Sequence, residues 1–199
     1  MGEIIMKANV LVGLALAGLM GLTACATSED IVPVPYTASS APATPGAQNI
    51  HVTVASSDAR TENRARIGAQ INGYGMEMAA IRSQVEVTEI VRDAIAAELR
   101  QRGYQVSETG SRVNAEVTTF YNDFSTGLLA GKSKADVALT VTVTDKSGVE
   151  VYRRGITGEA ERTVQLANGG NAATTLSQAL SKALEQLMSD PAFVAALAR

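Results

Sequence analysis

The hydrophobic positions in the second half of the chain follow two helical stripes. Apolar residues recur every three or four positions over 87–99, and Gly103 provides a natural helix end. The same spacing returns over 176–188, where Asp190-Pro191 is typical of the cap and first residue of a further short helix. Each long helix therefore has one apolar face, which it must bury against another layer.

Alternation of apolar and polar positions predicts the strands. Five segments alternate in this way or form a short extended run: 50–55, 104–106, 113–118, 135–144 and 149–153. The segment 135–144 is aliphatic on one face and rich in threonine on the other, as in a sheet with one solvent-exposed face. We predict an α+β fold of two layers: a mostly antiparallel sheet of four to five strands, with two main helices packed on one face.

The first 25 residues predict a lipoprotein signal peptide over 1–24. Lys7 precedes fifteen uncharged residues, 10–24, which are fewer than the roughly 20 that span a bilayer. The following Leu22-Thr23-Ala24-Cys25 resembles the lipobox of bacterial lipoproteins. In that family a peptidase cuts before the cysteine, here between Ala24 and Cys25, and the cysteine thiol carries a diacylglyceryl group. Cys25 is thus the predicted lipidation site and the predicted contact with a membrane.

The residues after Cys25 predict a spacer segment and a cellular location. Four of the five prolines fall in 26–49, so we predict that 25–49 is the lipidated cysteine followed by a Pro-rich extended spacer. The remaining 150 residues, 50–199, then form a single globular domain. Ala26 is not the aspartate that usually retains lipoproteins at the inner membrane. The resemblance therefore implies the bacterial cell envelope, in the periplasmic leaflet of the outer membrane.

The composition excludes several functions. The 199 residues include 17 Lys+Arg and 20 Asp+Glu, and this net charge of −3 offers no basic excess for nucleic acid. One cysteine and one histidine leave no intrachain disulfide and no metal centre built from several His or Cys ligands. We therefore expect no metal, no cofactor and no nucleic-acid partner.

No segment carries a convincing catalytic motif. The run Gly127–Ser133 resembles a phosphate-binding loop, but it has three residues between its glycines where that motif has four. Strand patterns lie on both sides of the run, so we interpret it as a hairpin loop. His51 lies on the polar face of the first strand without a partner acid in a recognisable motif, which indicates a surface histidine.

One charged cluster is a candidate partner contact. Directly after the first strand come one acid and three arginines: Asp58, Arg60, Arg64 and Arg66. Guanidinium groups suit carboxylates and phosphates, so these four residues could bind an envelope protein or an anionic envelope component. A solvated surface loop is the simpler alternative.

The chain resembles the YajG-like family of bacterial lipoproteins. Ile90-Val91-Arg92-Asp93, followed by Glu98-Leu99-Arg100-Gln101-Arg102-Gly103-Tyr104-Gln105-Val106, is similar to the helix-RGY-strand segment of that family. Val54 with Asp58-Ala59-Arg60, Phe120-Tyr121, Lys134–Ala138 and the Ala-rich C-terminal helix are similar as well. The resemblance covers 50–199 and the signal peptide. It implies an envelope lipoprotein of unassigned biochemical role and brings no catalytic residues with it.

Three classes of function stay open at this point. The favoured class is a non-catalytic envelope lipoprotein, a membrane-anchored interaction or accessory module. The second is a ligand- or lipid-binding accessory subunit of an envelope transport system. It would need an apolar cavity between helices and sheet, and the small residues Ala94, Ala179 and Ala183 suit either close packing or a gap. The third, an enzyme acting on peptidoglycan or lipid, is the least favoured.

Overall fold

The structure is a computed structural model that describes residues 28–127 and 129–199. The signal peptide, its cleavage point at Ala24 and the lipidation site Cys25 lie outside the described residues. The strands are β1 (Asp30–Val32), β2 (His51–Asp58), β3 (Gly68–Ile71), β4 (Glu77–Ser83), β5 (Gln105–Val106), β6 (Ser111–Ser125), β7 (Gly131–Thr144) and β8 (Glu150–Val164). The α-helices are α1 (Val87–Gln101), α2 (Gly169–Met188) and α3 (Pro191–Leu197), and a 3-10 turn spans Ala47–Asn49.

The long strand β6 organises a mixed sheet. One edge of β6 pairs with antiparallel β7, which in turn pairs with antiparallel β8. Along the other edge, the first half of β6 pairs with parallel β2, and Asn122 near its end pairs with Gly68 of β3. Strand β5 extends the sheet beyond β2, and β4 and β1 extend it beyond β3. Two groups of strands thus share one edge of β6: β2 with β5 along its first half, and β3 with β4 and β1 near its end.

The predicted α+β class is confirmed, whereas the predicted sheet is too small and too antiparallel. The sheet has eight strands, and four of its seven strand pairings are parallel. The additional strands β1, β3 and β4 are short or half-exposed, so they show no clear alternation of apolar and polar residues. Helix α1 returns the chain from β2 to β5 and β6, which makes these neighbours parallel.

The core lies between one face of the sheet and the helices. The inward positions of β7 are all buried: Ala135, Val137, Leu139, Val141 and Val143. The threonines between them are half-exposed on the opposite face, as the alternation predicted. Helix α1 contacts β2, β5 and β6, while α2 contacts β6, β7 and β8.

Helix α2 approaches β8 closely at Gly158. A Cβ atom added to Gly158 would lie 2.0 Å from the carbonyl oxygen of Ala179 and 2.6 Å from the amide nitrogen of Ala183. Both alanines have no exposed surface. The small residues on this face of α2 therefore serve close packing against the sheet. The gap that a ligand-binding subunit would need is filled by backbone at this point.

Strand β8 is an edge strand whose outward backbone groups are partly covered by α2. The amide of Thr157 donates to Oε1 of Gln186 at 3.2 Å, and Nζ of Lys182 donates to the carbonyl oxygen of Glu159 at 2.8 Å. The unpaired N–H and C=O groups of an edge strand can otherwise form hydrogen bonds with a strand of another molecule. Two of these groups are here bonded within the chain.

Residues 30–49 pack on the domain, although we predicted an extended spacer over 26–49. Strand β1 pairs with β4, and Ser177 of α2 donates its hydroxyl to the carbonyl oxygen of Pro35 at 2.7 Å. The apolar residues between the prolines lie against the core: Val32, Val34 and Tyr36. Over 32–36 proline alternates with apolar residues. The apolar side chains pack against the core, so this part of the chain is not a free spacer. The folded domain thus includes residues before the boundary at residue 50.

The carboxylate of Glu98 fastens this segment to α1. Glu98 is buried and accepts hydrogen bonds from the Tyr36 hydroxyl at 2.7 Å, the Ser39 amide at 2.7 Å and the Ser39 hydroxyl at 2.8 Å. It also forms an ion pair with Arg102, one turn further along α1. Burial alone would raise the pKa of Glu98, but the bonds from Ser39, Tyr36 and Arg102 together lower it below its ordinary value.

We expect Glu98→Gln to lower the free energy of unfolding at neutral pH by about 1–3 kcal/mol, since an amide cannot accept all of these donors. Because the pKa of Glu98 is lower in the folded state, its ionisation stabilises the fold above the ordinary glutamate pKa of 4.5. That stabilisation is lost as the pH falls through the folded-state value. Urea unfolding of both proteins between pH 7 and pH 3 should therefore show a gap that narrows in acid, and a constant gap would contradict this assignment.

Candidate functional site

The candidate charged cluster lies in the loop between β2 and β3. Asp58 ends β2, and the side chain of Arg60 turns back to it. The Nε and Nη2 groups of Arg60 donate to the two carboxylate oxygens of Asp58, each at 2.9 Å. Arg60 is 4% exposed, so this ion pair is largely shielded from water. Hydrogen bonding to Arg60 also lowers the pKa of Asp58.

The remaining donors of Arg60 hold the backbone of the loop. They donate to the carbonyl oxygens of Asn63 at 3.3 Å, Arg64 at 2.9 Å and Arg66 at 3.3 Å. A guanidinium has five N–H donors, and these five bonds match that number. Asn63 adopts a positive φ of 53°, which turns the loop so that its carbonyl groups point at Arg60. Asp58 and Arg60 therefore shape the loop and are not presented to an outside partner.

Two further arginines, Arg66 in the loop and Arg82 on β4, are also paired within the chain. Arg66 donates through Nε to Oδ1 of Asn63 at 3.0 Å, forms an ion pair with Glu77, and lies 6.0 Å from the centre of the Tyr121 ring. Arg82 binds both carboxylate oxygens of Glu29, at 2.7 and 2.9 Å. Their charges are thus balanced by neighbouring acids.

Arg64 is the arginine of this cluster that faces solvent. Its side chain is 63% exposed; its Nε lies 3.6 Å from Oδ2 of Asp58 in an ion pair, and its Nη2 donates to the carbonyl oxygen of Asp58 at 3.2 Å. It stands at a shallow pocket of about 240 Å³ that is also lined by Arg82 and the start of α1. The structure brings the four predicted residues together, and Arg64 has the most exposed side chain of the four.

The other candidates from the sequence have ordinary structural roles. His51 is exposed, and its Nδ1 lies 3.3 Å from the Ser107 hydroxyl. The run Gly127–Ser133 joins β6 to β7 and continues into a strand, so no helix N-terminus follows it to face a phosphate. Lys132 pairs with Glu161, and the buried Ser133 hydroxyl donates to Oδ1 of Asn122 at 2.7 Å.

Within 28–127 and 129–199, no three His, Cys, Asp or Glu side chains come together in a way that could hold a metal ion. None of the helices in these two ranges is both long and apolar enough to cross a membrane.

The sequence reasoning missed an apolar surface at one end of the sheet, here called the apolar tip. Its members are large exposed apolar residues from three connections: Tyr74 and Met76 (β3 to β4), Leu129 (β6 to β7) and Leu166 (β8 to α2). The last two line a cavity of about 430 Å³, and none of its fourteen lining residues is charged. The sequence signal was the absence of charge over 67–76, 124–131 and 163–181.

The comparisons with known proteins define the class. Residues 37–198 match the sequence model of a family described as uncharacterized lipoproteins, so the chain belongs to that family. This is the YajG family that the resemblance indicated, and membership associates the chain with the cell envelope. A search of the curated proteins gives no match.

The solved structures that are similar to this chain include the following two. Protein XCC0632 from Xanthomonas campestris is 16% identical, with 81% of this chain and 92% of that chain covered and a TM-score of 0.57. A minor lipoprotein from Acinetobacter baumannii is 11% identical, with 71% and 90% covered and a TM-score of 0.43. The likeness to XCC0632 shows a shared fold.

Proposed function

We propose that the chain is a non-catalytic lipoprotein, anchored through lipid on Cys25 to the periplasmic leaflet of the outer membrane, that works by binding another envelope component. The observation that carries this proposal is the match to a lipoprotein family in a chain whose one cysteine ends the run Leu22-Thr23-Ala24-Cys25. The outer membrane is favoured because Ala26 follows that cysteine.

The paired charges of the domain support a binding role over catalysis. The described ionisable clusters hold structural elements in place: Asp58–Arg60 shapes a loop, and Glu98–Arg102 fastens the N-terminal segment. Asp190 accepts hydrogen bonds from Tyr152 and Arg154, each at 2.8 Å, while it caps α3. These groups are engaged in the fold rather than presented together in a cleft.

Cys25→Ser tests the anchor. We expect the variant to keep its signal peptide or to lose its lipid, because serine does not accept the diacylglyceryl group as a thiol does. Intact mass and membrane fractionation measure both outcomes. Thr23→Ser is the matched control, since it keeps a small residue before the cleavage point and should be processed normally. Wild-type protein in the soluble periplasm with a free Cys25 thiol would contradict the anchor.

Arg64→Glu tests the partner surface. We expect it to reduce the recovery of crosslinked envelope partners, because Arg64 is the exposed guanidinium of the cluster and an acidic side chain repels an anionic partner. Arg100→Glu is the control: it makes the same change in net charge at an exposed position on α1. Both variants should fold with a slightly lower unfolding midpoint than wild type, because Arg64→Glu places an acid beside Asp58 and Arg100→Glu places one in the last turn of α1. Equal partner recovery from the two folded variants would remove Arg64 from the proposed surface.

A further inference from the structure

The apolar tip combines exposure with an absence of charge. Tyr74 is 89% exposed, Leu129 90% and Leu166 66%. The three connections meet in space: a Cβ atom on Gly75 would lie 3.8 Å from the Thr126 hydroxyl, and Leu129 and Leu166 line one cavity. Such a cluster of large apolar side chains at one end of a domain marks a contact with a protein or a membrane.

The described chain begins at the same end of the sheet. The carbonyl oxygen of Ser28 accepts a hydrogen bond at 3.4 Å from Nε2 of Gln70, whose neighbour Ile71 lines the cavity at the tip. Strand β1 runs parallel to β4 with Asp30 opposite Ile81, so the chain before Asp30 leads back toward the start of β4 and the adjoining hairpin. Cys25 stands three residues before Ser28. Three residues reach at most about 10 Å, so a lipid on Cys25 brings the bilayer surface to this end.

The chemistry of the tip suits that surface. Apolar side chains gain free energy on entering the interfacial region, and tyrosine is enriched there because its ring is apolar and its hydroxyl stays hydrated. Glu77 and Lys132, which follow two of the three connections, are each paired, with Arg66 and with Glu161. The opposite end of the sheet differs, since the turn between β7 and β8 carries Asp145 and Lys146.

We propose that the apolar tip inserts into the interfacial region of the bilayer beside the anchored Cys25. The domain then lies on the membrane in one orientation, with the tip as a second contact, and the rest of its surface faces the periplasm. This proposal rests on the proposed lipidation of Cys25, so its test separates the two.

The chain contains no tryptophan, so one introduced tryptophan reports on one position. Leu129→Trp places the reporter in the tip. Val149→Trp is the matched control, because Val149 is also an exposed apolar residue in a hairpin, 58% exposed, at the opposite end of β7 and β8. Both are made in the lipidated full-length protein and reconstituted into phosphatidylethanolamine–phosphatidylglycerol vesicles. Quenching by acrylamide and by lipids brominated on their acyl chains is then measured.

We expect the tryptophan at 129 to shift its emission to the blue, to be shielded from acrylamide and to be quenched by the brominated lipids, while the one at 149 shows the reverse. Leu166→Trp should behave like the reporter at 129. Equal acrylamide quenching at 129 and 149, in protein that sediments with the vesicles, would overturn the tip contact and leave the anchor intact. Shielding at 129 without bromine quenching would also overturn it, in favour of a protein contact. If mass spectrometry finds no lipid on Cys25, both proposals fall.

Discussion

Gly158→Ala is expected to lower the free energy of unfolding by about 3 kcal/mol, the upper part of the usual range for overpacked cores. The new methyl group would meet backbone atoms of α2 at 2.0 and 2.6 Å, and backbone cannot move aside as a flexible side chain can. Helix α2 would have to shift away from β8 and loosen the packing of its buried leucines. Urea unfolding of the purified domain measures the loss.

Gly155→Ala is the control for that experiment, because it makes the same change three residues earlier in β8. A Cβ atom on Gly155 meets nothing within 4 Å. This variant should be neutral or more stable by about 0.5–1 kcal/mol, since alanine restricts the unfolded chain more than glycine does. Similar, small changes at both positions would show that α2 is free to move from the sheet.

Leu180→Ala and Leu184→Ala are each expected to cost about 2–5 kcal/mol, the range for leucine truncations in a core. Both side chains are fully buried one turn apart on the face of α2 that meets the sheet. Each truncation removes apolar contacts and leaves a cavity that the rigid strands below cannot fill. The effect is measured as the shift in denaturation midpoint at an unchanged denaturant dependence.

Lys182→Ala is the comparison for the two leucines. Lys182 lies on the same helix, but it is exposed, and its amino group bonds one carbonyl oxygen at the edge of β8. Its removal should change the stability by no more than about 0.5 kcal/mol. Equal, small losses at all three positions would mean that α2 is not docked as described.

The sequence predicted elements whose burial is one-sided and regular. Strand β7 is inward-facing at every second residue, and the leucines of α2 recur at helical spacing, so both patterns appear in the order of residues alone. Strand β4 has a single fully buried position, Ile81, and β1 is three residues long beside prolines. Neither leaves a periodic signal. The parallel pairing of β2 with β6 was also beyond sequence reasoning, because it depends on the route of the connecting helix.

The sequence predicted that the four charged residues lie close together, but not what each of them contacts. The four charged residues after β2 do come together, as their proximity in sequence indicated. The sequence could not reveal that Arg60 is buried, because that depends on the turn at Asn63 and on the carbonyl groups it directs inward. The apolar tip was missed for a different reason. Its residues come from three connections far apart in sequence, and the sheet topology brings them to one end.

The partly covered edge of β8 has a consequence for the lipid-anchored protein proposed above. Lipid-anchored copies diffuse in two dimensions, and they meet their neighbours repeatedly in similar orientations. A 15-residue edge strand is long enough for a neighbouring chain to add to it, and strand addition repeated from copy to copy is the route to a fibre. Gln186 and Lys182 already occupy two successive outward positions, at Thr157 and Glu159, in the middle of that strand. The polar side of α2 therefore hinders strand addition at the middle of β8, while the apolar side of the same helix closes the core.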